Sequence, residues 1–66
     1  MKIQVNGEAK SVNPGTTVDE YMKSNGIPAA KTLVSINGEV LTADEFTSTV
    51  LNDGDSLELF TFAAGG

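Results

Sequence analysis

The stretch Lys2-Ile3-Gln4-Val5-Asn6-Gly7-Glu8-Ala9-Lys10-Ser11-Val12 sets the frame for the rest of the chain. Lys2 to Val5 alternates polar and apolar side chains, the period of a strand with one buried face. Asn6-Gly7 then supplies two residues that accept positive φ, as a type I′ turn requires, and that turn's twist matches the strands it joins. The segment therefore reads as a β-hairpin with Ile3 and Val5 facing inward. Asn13-Pro14-Gly15 stops the second strand, because Pro has no ladder donor and Gly permits left-handed backbone.

Outward from the hairpin, Thr17-Val18-Asp19-Glu20 has the form of a capping box, in which Thr and Glu satisfy each other's backbone N–H groups. A helix is predicted from there, with Val18, Tyr21 and Met22 on one face and Asp19, Glu20 and Lys23 toward water. Asn25-Gly26 ends it after about two and a half turns, and Pro28 prevents it from resuming. So short a helix does not persist alone in water, so its apolar face must lie on a sheet. Thr32-Leu33-Val34-Ser35-Ile36, a second Asn-Gly at Asn37-Gly38, and Glu39-Val40-Leu41 predict a second hairpin. Residues 42–50 read as a short turn and loop, with Thr42 capping one helical turn at Ala43-Asp44-Glu45-Phe46 and Phe46 inward. Asn52-Asp53-Gly54-Asp55 is a turn by composition, and Ser56 to Phe62 is the last strand.

Hairpin, helix, hairpin, loop and final strand give an α+β fold, a mixed sheet of four to five strands with one main helix packed across it. The final strand must add to an existing edge or slot between strands. Ile3, Val5, Val34, Ile36, Leu57 and Leu59 form the sheet's contribution to the core, Val18 and Met22 cover them, and Phe46 and Leu51 fill the ends. Residues 1–62 make one domain, and 63–66 form a flexible Gly-Gly tail. A 66-residue chain buries too small a share of its surface to enclose a large active site.

Composition removes whole classes of function. The chain has no His and no Cys, and its four basic residues are the lysines Lys2, Lys10, Lys23 and Lys31. No thiol or imidazole nucleophile exists, nor a soft ligand set for zinc or an iron–sulfur cluster. No catalytic residue, cofactor site or metal site is assigned. Asp53-Gly54-Asp55 resembles a fragment of a calcium loop but lacks its third spaced acid and distant Glu, so a plain turn is the reading. Asp19-Glu20 and Asp44-Glu45 are adjacent acids that do not face each other, and no Gly-rich phosphate loop is present. A net charge of -5, with no cation after Lys31, argues against nucleic acid and against anionic membranes. The same acidity suits a partner with a basic face, or simply keeps a monomer soluble. With no cysteine and no apolar leader, the expected location is cytoplasmic.

Two features remain. If Leu57 and Leu59 face the helix, strand period places Glu58, Phe60 and Phe62 on the opposite face beside Leu33. Neighbouring exposed phenylalanines mark a contact surface. The alternatives are that residues 42–50 fold over them, or that the register slips by one. The second feature is the ending Ala63-Ala64-Gly65-Gly66. A terminal carboxylate is a poor electrophile, but joined to AMP it becomes a mixed anhydride open to sulfur or nitrogen nucleophiles. Glycine, lacking Cβ, can enter a narrow channel in extended form with its carbonyl unshielded. The opposing reading is an incidental frayed terminus. Ordering four tail residues would cost roughly 4 to 8 kcal/mol, so a folded face must supply the affinity.

From end to end the chain resembles the ThiS-type sulfur carriers of thiamin thiazole synthesis, which are small ubiquitin-like β-grasp proteins. The matching pieces are Ile3-Gln4-Val5-Asn6-Gly7, Val34-Ser35-Ile36-Asn37-Gly38-Glu39-Val40, the Asp53-Gly54-Asp55 turn before Leu57-Glu58-Leu59, and Gly65-Gly66. The resemblance implies that an E1-like adenylyltransferase of the ThiF type activates Gly66 with ATP and magnesium. It further implies that a sulfur donor protein converts the acyl-adenylate to a thiocarboxylate, and that thiazole synthase of the ThiG type receives the sulfur. On this resemblance the chain is a carrier and not an enzyme. Gly66 is the attachment point, Ala63, Ala64 and Gly65 give reach, and Leu33, Glu58, Phe60 and Phe62 dock partners on a free monomer. Where many family members carry Pro-Arg after the central Glu-Val pair, this chain has Leu41-Thr42-Ala43. Its ending also resembles the small subunit of molybdopterin synthase, a related carrier. A ubiquitin-like modifier joined to target lysines through Gly66, and a non-covalent binding module with an incidental tail, are the competing readings.

Overall fold

A computed structural model describes residues 1–62 of the chain. The first hairpin comprises β1 (Lys2–Val5) and β2 (Glu8–Ser11), paired from Lys2 with Ser11 to Val5 with Glu8. Asn6 and Gly7 both take positive φ, at 51° and 84°, as the type I′ turn demands. The second hairpin, β3 (Thr32–Ile36) and β4 (Glu39–Leu41), is its twin, with Asn37 at φ 51° and Gly38 at 88°.

The last strand, β5 (Ser56–Thr61), does not add to an outer edge. It slots between the two hairpins, giving the order β2-β1-β5-β3-β4. It runs parallel to β1 through Gln4–Ser56 and Val5–Leu57, and antiparallel to β3 from Thr32–Thr61 to Ile36–Leu57. The result is a five-stranded mixed sheet with one helix across it. Phe62 lies just beyond the strand, its N–H donating to the Lys31 carbonyl at 2.8 Å.

The helix α1 (Val18–Ser24) runs between the expected stops, Thr17 and Asn25, in about two turns. Its start is fixed by the capping box: the Glu20 N–H donates to Thr17 Oγ1 at 3.1 Å, and the Thr17 N–H donates to Glu20 Oε1 at 3.0 Å. The next helical N–H groups meet the 42–51 loop. Val18 N–H donates to the Thr49 carbonyl and Asp19 N–H to the Phe46 carbonyl, each at 3.0 Å. That loop opens with a 3-10 turn (Ala43–Glu45), where the Glu45 carboxylate accepts from both the Thr42 N–H and its hydroxyl. A further 3-10 turn at Ala29–Lys31, which propensity did not mark, carries the chain from the helix into β3.

Between helix and sheet lie Ile3, Val5, Val18, Tyr21, Met22, Val34, Phe46, Leu51 and Leu57, all buried, with Ile36 and Leu59 packed against them. Every residue expected in the core is there. Asp55 is buried as well, at 9% exposure. Its carboxylate accepts from the Asn52 N–H at 2.7 Å and from Asn37 Nδ2 at 3.0 Å, so the acid of this turn is used in holding the turn shut. Replacing the helix cap, Thr17→Ala, is expected to lower stability by about 1 kcal/mol, read as a shift of the denaturation midpoint with an unchanged slope.

Candidate functional site

Because the side chains of β5 alternate, burying Leu57 turns Glu58 and Phe60 to the far side of the sheet, away from the helix. Phe60 is 63% exposed and Phe62 47%, and their rings meet edge to face with centroids 5.5 Å apart. Leu33, directly opposite Phe60 on β3, is 54% exposed. The register is the one expected from strand period, without a slip. Residues 42–50 do not cover these rings. That segment is hydrogen-bonded to the start of α1 and sends Phe46 into the core, on the other side of the sheet.

Glu58 stands among the apolar groups, and its Oε1 accepts from the Ser35 hydroxyl across the strand pair at 3.2 Å. The structure adds a residue that sequence reading did not single out. Val40, on the outer strand β4 opposite Ser35, is 73% exposed, the most open of the large exposed hydrophobic residues. Its signal was present in the strand period, since Leu33, Ser35 and Val40 must share a face once the Asn37-Gly38 turn fixes the pairing. Together Asn6, Leu33, Ser35, Val40, Glu58 and Phe60 line an open groove of about 340 Å³. A mostly apolar concavity with one carboxylate at its rim suits a partner's apolar side chain accompanied by a cation. The positions assigned to the tail, Ala63, Ala64, Gly65 and Gly66, lie outside the described residues.

A second open groove of about 450 Å³, between β2 and α1, is lined by polar groups including Lys10, Ser11, Asn13, Thr16 and Asn25. Among the described residues no three acidic side chains converge as metal ligands, and no buried side-chain polar atom lacks a hydrogen-bond partner. None of the described helices is long and apolar enough to cross a membrane. The arrangement on β3, β4 and β5 presents exposed apolar side chains around one carboxylate, that of Glu58, which is held by the Ser35 hydroxyl.

Two twinned hairpins gripping a central strand, with one helix laid across them, define a β-grasp domain whose outer sheet face exposes an apolar patch. Residues 3–66 match the family model described as ThiS family, and the chain belongs to that family. Among solved structures, the crystal structure of the thiamine biosynthesis protein (ThiS) from Geobacter metallireducens superposes with a TM-score of 0.85. It is 33% identical, over 100% of both chains. The sulfur carrier protein ThiS of Escherichia coli (strain K12) is 29% identical over 66 residues, the full length of both. The thiazole synthase of Paramagnetospirillum magneticum (strain ATCC 700264 / AMB-1) is 32% identical over 66 residues. The chain spans only 20% of that protein's length.

Proposed function

We propose that this chain is a sulfur carrier of thiamin thiazole synthesis that works through the carboxylate of Gly66. The observation that carries the reading is its full-length likeness to the sulfur carrier protein ThiS of Escherichia coli. Likeness to thiazole synthases supports the thiazole pathway over molybdopterin synthesis, and in this reading thiazole synthase is the sulfur acceptor. The exposed Leu33, Val40, Phe60 and Phe62 support it by offering a partner an apolar surface.

In this reading an adenylyltransferase of the ThiF type holds ATP and magnesium and docks Leu33, Val40, Phe60 and Phe62, with Glu58 facing a cation. The face supplies affinity, while Ala63, Ala64 and Gly65 let Gly66 reach the nucleotide. A carboxylate oxygen of Gly66 attacks the α-phosphorus, the α–β anhydride bond breaks, and pyrophosphate leaves. Sulfur at the oxidation level of sulfide, delivered by a donor protein, then attacks the acyl carbon. The C–O bond to AMP breaks, AMP departs with that electron pair, the S–H proton passes to water, and a thiocarboxylate remains. Gly66 suits both steps because no side chain shields its carbonyl.

The test is intact-mass measurement after incubation with the activating enzyme, ATP, magnesium and sulfide. The expected product has one oxygen replaced by one sulfur. An unchanged mass with an enzyme of proven activity overturns the reading. An adduct on lysines of other proteins, with no thiocarboxylate, would assign the chain to the protein modifiers instead.

A further inference from the structure

The two sides of β5 are held unequally. Its β3 side is paired along five residues, but its β1 side is paired only at Ser56 and Leu57, because β1 turns away at Asn6-Gly7. Beyond that point the side chain of Asn6 continues the ladder. The Asn6 backbone N–H donates to the Leu57 carbonyl at 2.9 Å, as a strand residue would. Its side-chain amide then meets the next peptide groups along: Nδ2 donates to the Leu59 carbonyl at 3.1 Å, and Oδ1 accepts from the Leu59 N–H at 2.9 Å. One carboxamide thus stands in for the strand residue that β1 does not provide. Farther along, the Phe62 N–H points to the Lys31 carbonyl on the β3 side, so strand alternation turns the Thr61 backbone groups toward the side where β1 has ended.

The twin hairpin provides an internal comparison. Asn37 occupies the same place in an identical Asn-Gly turn, and its Oδ1 accepts from the Ser56 N–H at 2.9 Å while its backbone N–H donates to the Ser56 carbonyl at 2.8 Å. Asn37 therefore secures the beginning of β5, and Asn6 secures the part from which Phe60 and Phe62 follow. The turn geometry asks only for a residue tolerant of positive φ, and glycine would serve. The bidentate engagement of Leu59 is a separate property of Asn6.

We infer that Asn6 is a positioning residue: its amide, bonded to both backbone groups of Leu59, keeps the exit of β5 in register and so presents Phe60, Phe62 and the chain after them to the activating enzyme. This rests on the sulfur-carrier reading. With the amide gone, the exit segment is held from β3 alone, and docking must order it, so the loss falls on binding of the carrier and not on the chemistry that follows.

Asn6→Gly keeps the turn and deletes the amide, and Asn37→Gly makes the same change in the twin. With pyrophosphate release followed at varied carrier concentration, Asn6→Gly is expected to raise KM about tenfold, the scale of two neutral hydrogen bonds, at unchanged kcat. Asn37→Gly is expected to leave KM as in the unaltered chain. Amide exchange provides a second readout: the Leu59 N–H is protected in the unaltered chain and in Asn37→Gly, and exchanges freely in Asn6→Gly. Equal KM changes in the two variants overturn the inference, as does a Leu59 N–H that exchanges as fast as that of Thr61 in the unaltered chain. If Asn6→Gly does not fold, Asn6→Asp replaces it. Asp keeps an acceptor for the Leu59 N–H but sets an anion against the Leu59 carbonyl, so KM must rise, and an unchanged KM refutes the inference. Failure of the unaltered chain to be adenylated would strike the sulfur-carrier reading, and amide exchange would still decide whether Asn6 secures Leu59.

Discussion

Removal of Gly66 is expected to abolish sulfur loading while leaving the melting temperature unchanged. The shortened chain still ends in a glycine carboxylate, that of Gly65, so the chemistry is not lost for want of a functional group. What changes is reach. Each extended residue spans about 3.5 Å, and misplacing a reacting group by as little as about 1 Å can cost on the order of a hundredfold. In the proposed reading, docking on Leu33, Val40, Phe60 and Phe62 fixes the point from which residues 63–66 extend, and a chain one residue short then holds its carboxylate away from the α-phosphorus. Among the described residues the buried cluster runs from Ile3 to Leu57, with Leu59 packed against it, so thermal unfolding followed by circular dichroism should not distinguish the two chains. Intact mass after incubation with the activating enzyme, ATP and sulfide should show sulfur in the full chain alone. Full loading of the shortened chain would refute a role for Gly66.

The second large effect is on stability. Leu57 is fully buried in the central strand, opposite Val5 of β1 and Ile36 of β3, beneath the helix. Leu57→Ala removes its buried side chain and leaves a cavity, at a cost of about 2 to 5 kcal/mol. A domain of this length holds in total roughly 3 to 10 kcal/mol, so the variant forfeits a large share of its stability. The melting temperature should fall by roughly 10 to 30 °C, as calorimetry or circular dichroism would register. Phe60 on the same strand serves as the control. It is 63% exposed, and truncating it to Ala is expected to change stability little while weakening docking. A Leu57→Ala chain that melts with the unaltered one would mean that β5 is not the centre of the core.

Much of this was legible in the order of residues. The Asn-Gly pairs, the Thr17 to Glu20 capping box and the Thr42 to Glu45 turn are local devices whose bonds close within a few residues, and each formed where the sequence placed it. Strand period was equally informative. It put Leu57 inside and Phe60 outside, and nothing in the fold reversed that assignment. The helix stopped where Asn25 and Gly26 were expected to end it, with the Ile27 N–H returning to the Met22 carbonyl at 2.9 Å. The exposed apolar face was half visible: Leu33, Glu58, Phe60 and Phe62 followed from strand alternation, while Val40 required knowing which residues of two strands lie opposite each other.

The sequence by itself determined the two hairpins, the main helix and the last strand, the inward and outward faces of β1, β3 and β5, and the family likeness, because periodicity, caps and turns are decided by contacts between near neighbours along the chain. The tertiary structure alone decided that β5 enters between the hairpins, parallel to one and antiparallel to the other. It also decided that two turn asparagines, chosen locally for positive φ, carry amides that bond that strand at Ser56 and at Leu59. Those bonds join residues as far apart as Asn6 and Leu59, and such pairings depend on which surfaces meet after the chain has closed its long loops, which no local pattern encodes.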